Sequence, residues 1–97
     1  MYEIEFTPEA IEDLKSFRKF EQQTIISGID TQLKYEPTVE TRNRFQMRPN
    51  DVAEWELRLG KYRVFYNVEN DVQIVSIEVV GFKRGNQLFV RGKRRDI

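Results

Sequence analysis

The chain has 97 residues, 39% of them apolar and 33% charged, which is the length of one domain and a balance that excludes wholesale disorder. With no cysteine and no histidine, it has no disulfide, no thiolate or His-ligated metal site and no Ser-His-Asp triad. Sixteen basic and sixteen acidic residues cancel overall, yet residues 1–40 carry nine acids against four bases and residues 41–97 seven against twelve. That asymmetry predicts an acidic shoulder and a basic working surface.

Tyr2 to Phe6 alternates in polarity and reads as a first strand. Thr7-Pro8-Glu9 then starts a helix: a hydroxyl N-cap, a proline at the first helical position and an acid near the positive dipole end. Ala10, Ile11, Leu14 and Phe17 follow at helical spacing. A second helix is expected over about Gln22 to Tyr35, with Ile25, Ile26, Ile29 and Leu33 on one face and Pro37 stopping it. Gly28 inside it costs about 1 kcal/mol against alanine. The connection around Lys19 is short, which predicts an antiparallel helical hairpin.

The second half is β-rich. Asn43 to Arg48 reads as an edge strand. Glu54 to Leu59 alternates, with Trp55, Leu57 and Leu59 on one face and Glu54, Glu56 and Arg58 on the other. Gly60-Lys61 is a tight turn into Tyr62 to Val68, where Tyr62, Val64, Tyr66 and Val68 oppose Arg63, Phe65 and Asn67. Glu69-Asn70-Asp71 is a polar turn, and Val72 to Val80 is a long apolar strand suited to the sheet centre. Grouped helices before a meander predict an α+β domain: an N-terminal strand, a two-helix hairpin, then an antiparallel sheet of three to four strands with the helices on one face. The other face, bearing Glu54, Glu56, Arg58 and Arg63, is the expected place of function.

No apolar run approaches the roughly 20 residues that span a membrane. The acidic, alternating start Met1-Tyr2-Glu3-Ile4-Glu5 is unlike a signal peptide. A cytoplasmic address without membrane contact is expected.

The run Trp55-Glu56-Leu57-Arg58-Leu59-Gly60-Lys61-Tyr62-Arg63-Val64-Phe65-Tyr66 resembles the central hairpin of RelE/ParE toxins, in which an arginine-bearing strand turns into a Tyr-Arg-Val-x-Tyr strand. Ile4-Glu5-Phe6-Thr7-Pro8-Glu9-Ala10 and Asp13-Leu14 resemble the first strand and helix of the family, and Val79-Val80-Gly81-Phe82-Lys83-Arg84 resembles its last strand and basic turn. The resemblance spans roughly residues 2–90 and implies a single RelE-like toxin domain over 1–97, with 83–97 as a basic C-terminal tail. It also implies a type II toxin–antitoxin system, a cognate antitoxin as partner in a hetero-oligomer, and no cofactor or metal. Two targets are open under it: messenger RNA cleaved in the ribosome, or DNA gyrase poisoned without nuclease activity. A toxin fold that has lost its activity and only binds antitoxin is the third reading.

Metal-free RNA cleavage uses the neighbouring 2′-hydroxyl as nucleophile, so it needs a base, an acid for the leaving 5′-oxygen and cations for the charge on the phosphorane. The resemblance places Arg63 and the Lys83-Arg84 pair at the scissile phosphate. Glu54 and Glu56 stand where the family carries two lysines. Glu56, near Arg58 and Arg63, is either a carboxylate base or an ordinary cross-strand ion-pair partner. The family's C-terminal tyrosine is missing, and Leu88-Phe89-Val90 stands in its neighbourhood, where Phe89 can stack on a base but cannot transfer a proton. The catalytic expectation is therefore Arg63, Arg84, Glu56 and Arg58, and the RNA-binding expectation is Lys83, Arg44, Arg48, Phe89, Arg91 and Lys93. Trp55 is expected in the core with Leu57 and Leu59.

Overall fold

A computed structural model describes all residues, Met1–Ile97. The elements in chain order are β1 (Glu3–Phe6), α1 (Pro8–Lys15), α2 (Lys19–Leu33), β2 (Arg44–Gln46), β3 (Trp55–Leu59), β4 (Tyr62–Glu69), β5 (Ile74–Arg84), β6 (Gln87–Val90) and β7 (Lys93–Arg94). Thr7 caps α1 as its sequence dictates, its hydroxyl accepting from the Ala10 amide at 3.0 Å. The second helix begins three residues earlier than periodicity predicts. There the Glu21 carboxylate accepts from the Arg18 amide and satisfies a helix-end donor that the apolar spacing does not reveal.

The sheet runs β2-β3-β4-β5-β6-β7, with each of these neighbours antiparallel. β1 adds to it in parallel, pairing Glu3–Phe6 with Ile74–Ile77. Because β4 lines one edge of β5 along nearly its whole length, β1 and β6 share the other edge and leave a gap between Ile77 and Phe82. No helix is long and apolar enough to cross a membrane.

The α+β arrangement is as expected, with both helices contributing to the core on one sheet face. Ala10, Leu14, Ile25, Ile29 and Leu33 meet Trp55, Leu57, Val64, Tyr66, Val75, Ile77 and Val80. Trp55 lies in this core and stacks on Tyr66 at 6.2 Å. Ile11 and Ile26 do not join it and are exposed, since each lies about 100° around its helix from the buried Ala10 and Ile25. Gly28 has a packing reason: a Cβ there would lie 2.7 Å from Leu59 Cδ1, so its absence lets β3 approach α2 closely.

One irregularity organises the sheet. Phe65 pairs with Val79 and Tyr66 with Ile77, so Glu78 is an extra residue on β5, a β-bulge. It switches the alternation of β5, which is why Val75 and Ile77 face the helices before it and Val80 does after it.

Two expectations change here. The face away from the helices is not fully open: Ala53, Phe65, Val79, Leu88 and Val90 form a second small core on it, covered by Met47, Val52 and Ile97. Residues 83–97, expected as a basic tail, instead complete β5, form β6 and β7, and return along the sheet, with the Arg95 amide donating to the Leu88 carbonyl at 2.9 Å. Gly81 makes that return possible, because a Cβ there would sit 2.5 Å from the Phe89 carbonyl oxygen. Gly81→Ala is expected to destabilise the fold by roughly 1–3 kcal/mol through forced displacement of β6. Urea unfolding measures the loss, and amide exchange should place it at residues 87–90.

Candidate nucleic-acid interface

The face away from the helices carries Glu56 and Arg58 from β3, Arg63 from β4 and Lys83 from β5. Arg58 and Arg63 stand directly opposite each other in the register. Two like charges so placed repel, and Glu56, two residues before Arg58 on the same face, relieves this. Its Oε2 accepts from Arg58 Nε at 2.9 Å and lies 3.5 Å from Arg63 Nε. Arg58 is half exposed, with its guanidinium 4.3 Å above the Phe45 ring. Arg63 is mostly buried. Its Nη1 donates to the carbonyls of Gly60 at 2.6 Å and Tyr62 at 2.9 Å, tying it to the β3–β4 turn, while its buried Nε has no hydrogen-bond partner. Desolvation, with the charge of Arg58, holds the Arg63 guanidinium below its usual basicity, and Glu56 opposes them. A guanidinium so placed stays cationic near neutral pH.

Beside this cluster a groove of about 420 Å³ runs between β3 and the returning chain, lined by Glu56, Phe65, Lys83, Arg94 and Arg95 among others. Arg58 and Arg63 stand outside its lining and connect to it through Glu56. The groove therefore presents two acidic side chains, Glu56 and Asp96, and three cations, Lys83, Arg94 and Arg95, beside apolar groups of Met47, Phe65, Leu88 and Ile97.

The structure does not bring all the expected residues together. After the bulge, Lys83 faces the groove with Glu56, whereas Arg84 projects to the helix side. There its guanidinium lies 5.9 Å from the Phe89 ring centre, and Phe89 stacks on Phe82 at 5.5 Å. Arg91 is also on that side. Lys93 lines a separate concavity with Arg91, Arg94 and Arg95, and Arg48 is exposed on the loop after β2. Arg44, expected as an RNA contact, is instead buried and committed: its guanidinium donates to the Val39 carbonyl at 2.9 Å and to the Gln32 carbonyl of α2. An arginine satisfying one helix-end carbonyl and one loop carbonyl is a fold element.

Sequence reasoning gave no role to Asp13, which is 1% exposed in the core. Its Oδ2 accepts from the Val80 amide at 3.0 Å, in the gap that β1 and β6 leave on β5. Arg91 Nε lies 3.0 Å from its Oδ1. The signal was present: an acid between Ala10, Leu14 and Phe17 interrupts an otherwise apolar stripe. Burial raises the Asp13 pKa above its ordinary value, against the Val80 hydrogen bond and the charges of Arg91 and Arg95.

Neither core tyrosine can stand in as a proton donor on the groove side. Tyr66 Oη donates to the Pro37 carbonyl at 2.6 Å, and Tyr62 Oη donates to Glu21 Oε2 at 2.7 Å. Burial, then the Glu21 hydrogen bond, pushes the Tyr62 pKa up to about 12, from an ordinary value of 10.0. The unfolded chain thus loses this proton first, so the stability Tyr62 contributes is present below pH 10.0 and lost as pH rises towards about 12. Unfolding free energies measured across that window should fall, and Tyr62→Phe should flatten the fall. An unchanged slope in Tyr62→Phe would assign it elsewhere.

Residues 4–84 match the family model described as the ParE toxin of the type II toxin–antitoxin system, parDE. No curated protein sequence matches the chain. Among solved structures, the chain is similar to the toxin–antitoxin complex RelBE2 of Mycobacterium tuberculosis, at a TM-score of 0.71 and 23% identity, covering 84% of this chain and 98% of the other. It is also similar to the archaeal RelE–RelB complex of Pyrococcus horikoshii OT3, at a TM-score of 0.67 and 23% identity, covering 87% and 96%. At such identities these likenesses carry the fold.

Proposed function

The chain belongs to the ParE toxin family of type II toxin–antitoxin systems, within the RelE/ParE toxins, and from that premise we propose that it is a cytoplasmic, metal-independent endoribonuclease that cuts messenger RNA on the ribosome. The observation that carries this reading is the placing of Glu56 against Arg58 and Arg63 at the mouth of a groove lined by Lys83, Arg94 and Arg95. In it, the Glu56 carboxylate takes the 2′-hydroxyl proton as the 2′-oxygen attacks phosphorus. Arg63 and Lys83 balance the charge that develops on the phosphorane. The P–O5′ bond breaks, leaving a 2′,3′-cyclic phosphate, and the departing 5′-oxygen takes a proton. Lys83 is the best-suited donor in the groove, since an ammonium releases a proton far more readily than a guanidinium. Arg84 falls outside this reading because it faces the helices.

The test is primer extension on a defined message incubated with ribosomes and the purified chain. New cuts inside the reading frame are expected; an intact message overturns the proposal. A second reading, inhibition of DNA gyrase by protein contact, is supported by the engagement of Arg63 with the Gly60 and Tyr62 carbonyls, which leaves less of that guanidinium for a phosphate. A supercoiling assay with the same preparation decides it. In either case a cognate antitoxin is the expected partner in a hetero-oligomer, a reading supported by both solved relatives being toxin–antitoxin complexes.

A further inference from the structure

The groove wall formed by the returning chain has few contacts of its own. β7 is two exposed residues, Lys93 and Arg94, paired with Val90 and Phe89 of β6 at the end of the sheet. A strand so short does not order itself. Beyond it, the Arg95 amide donates to the Leu88 carbonyl at 2.9 Å, and Ile97 packs against the second core. Yet Arg94 and Arg95, two of the three cations in the groove, depend on where this strand lies.

The turn that starts β7 has an unusual composition. Arg91 and Gly92 are its two central residues, between the paired Val90 and Lys93, and both are left-handed, with φ of 50° and 76°. A two-residue hairpin turn demands such angles. Glycine or asparagine meets a positive φ at the least cost, and arginine rarely adopts one. The Arg91 side chain supplies the compensation. Its Nε lies 3.0 Å from Asp13 Oδ1, a buried oxygen that accepts no hydrogen bond and has this charge as its partner. Asp13 is itself fixed by the 3.0 Å hydrogen bond from the Val80 amide of β5. The same strand carries Lys83, the third cation of the groove. The ion pair thus ties the β6–β7 turn to the strand that bears Lys83.

We propose that Arg91, tethered to Asp13, is a positioning residue of the Glu56 groove: the pair fixes the β6–β7 turn from the helix side and so sets Arg94 and Arg95 on the opposite face. Arg91 itself stands outside the groove lining. This deepens the ribonuclease reading and rests on it for the occupant of the groove, RNA. The other task open to a half-exposed arginine is a direct phosphate contact. Two observations favour the tether. A phosphate contact needs no left-handed backbone, whereas a reach from the turn to Asp13 explains why an arginine stands there. The buried anion 3.0 Å away also competes with any phosphate for the Arg91 charge. Side chains that hold a site's first contacts in place act in this way without touching the ligand.

The test uses the full chain with Arg91→Gly, which suits the left-handed turn and removes the tether, and with Asp13→Asn, which keeps an acceptor for the Val80 amide. The double variant and Arg91→Lys complete the set. Three quantities are read: affinity for a short single-stranded RNA at fixed salt, kcat and KM for message cleavage on ribosomes, and exchange of the Arg95 amide. Each single variant is expected to weaken RNA binding and raise KM about fivefold, with kcat within about twofold, because Glu56 and Arg63 are untouched. Arg95 exchange should quicken by a similar factor. The two substitutions change the net charge in opposite directions, so a shared loss of RNA affinity reports position rather than charge. The double variant should be no worse than either single one, as for two halves of one contact, and Arg91→Lys should recover most of the loss. An RNA loss in Arg91→Gly that Asp13→Asn does not share overturns the proposal and makes Arg91 a phosphate contact. Wild-type affinity in both variants, additive losses in the double one, or a lowered urea midpoint with KM unchanged overturns it too. A wild type that leaves messages intact removes the ribonuclease reading alone, because RNA affinity and Arg95 exchange are read without cleavage.

Discussion

Glu56→Gln is expected to lower message cleavage by roughly 10²–10⁴-fold while RNA binding becomes tighter. The two changes have opposite signs because Glu56 has two effects in the groove. As a base it is required in its ionised form, and glutamine of nearly the same shape cannot accept the 2′-hydroxyl proton. As an anion beside Arg58 and Arg63 it competes with phosphate for those cations, at 2.9 and 3.5 Å. Glutamine removes that competition and frees the half-exposed Arg58 guanidinium for RNA, while Arg63 stays tied to the Gly60 and Tyr62 carbonyls but loses the anion beside it. If Glu56 is only the ion pair that keeps Arg58 and Arg63 from repelling across the hairpin, binding tightens and cleavage survives. Single-turnover cleavage with saturating ribosomes, alongside RNA binding at fixed salt, separates the outcomes; unchanged cleavage would remove Glu56 from the chemistry. The substitution also leaves two like charges directly opposed, a loss of about 1 kcal/mol, so cleavage should be read well below the unfolding temperature.

Asp13→Ala is expected to destabilise the protein by about 2–4 kcal/mol, without any contact to the Glu56 groove. The Val80 amide is buried in the gap between β1 and β6, and Asp13 is its partner at 3.0 Å. Alanine leaves that amide unpaired and opens a cavity, and both effects act in the same direction. Arg91, half exposed, regains water when its partner goes and adds little. Asp13→Asn keeps an acceptor for Val80 without the buried charge and should lie close to wild type. Because burial raises the Asp13 pKa above 3.8, the folded state holds this proton more tightly than the unfolded chain. The contribution of this group therefore grows as pH falls from neutral through the raised pKa, then levels off below 3.8. That increment should be present in the wild type and absent in Asp13→Asn. Urea unfolding of the three proteins at several pH values makes the comparison; an Asp13→Ala variant as stable as wild type would show that Val80 finds another partner.

Local periodicity determined much of this protein. The Thr7-Pro8 helix start, the Ile25–Ile29–Leu33 stripe, the alternation through β3 and β4 and the Gly60-Lys61 turn all depend on residues within a few positions of one another. The same alternation put Glu56, Arg58 and Arg63 on one face, where the structure has them, because a period of two is enough for that. Tertiary structure decided what periodicity cannot carry. The bulge at Glu78 switches the face of every later residue on β5, so Lys83 enters the groove and Arg84 leaves it, although the two are adjacent in the chain. Arg44 reads as a surface cation until the carbonyls of Gln32 and Val39 come round to it. Asp13 reads as a flaw in an apolar stripe until Val80, 67 positions away, presents an unpaired amide. For Arg44 and Asp13 the deciding partner is a backbone group brought close only by the completed fold, and for Lys83 and Arg84 it is the backbone register of β4 against β5; backbone groups leave no mark in the identity of the residues that bear them.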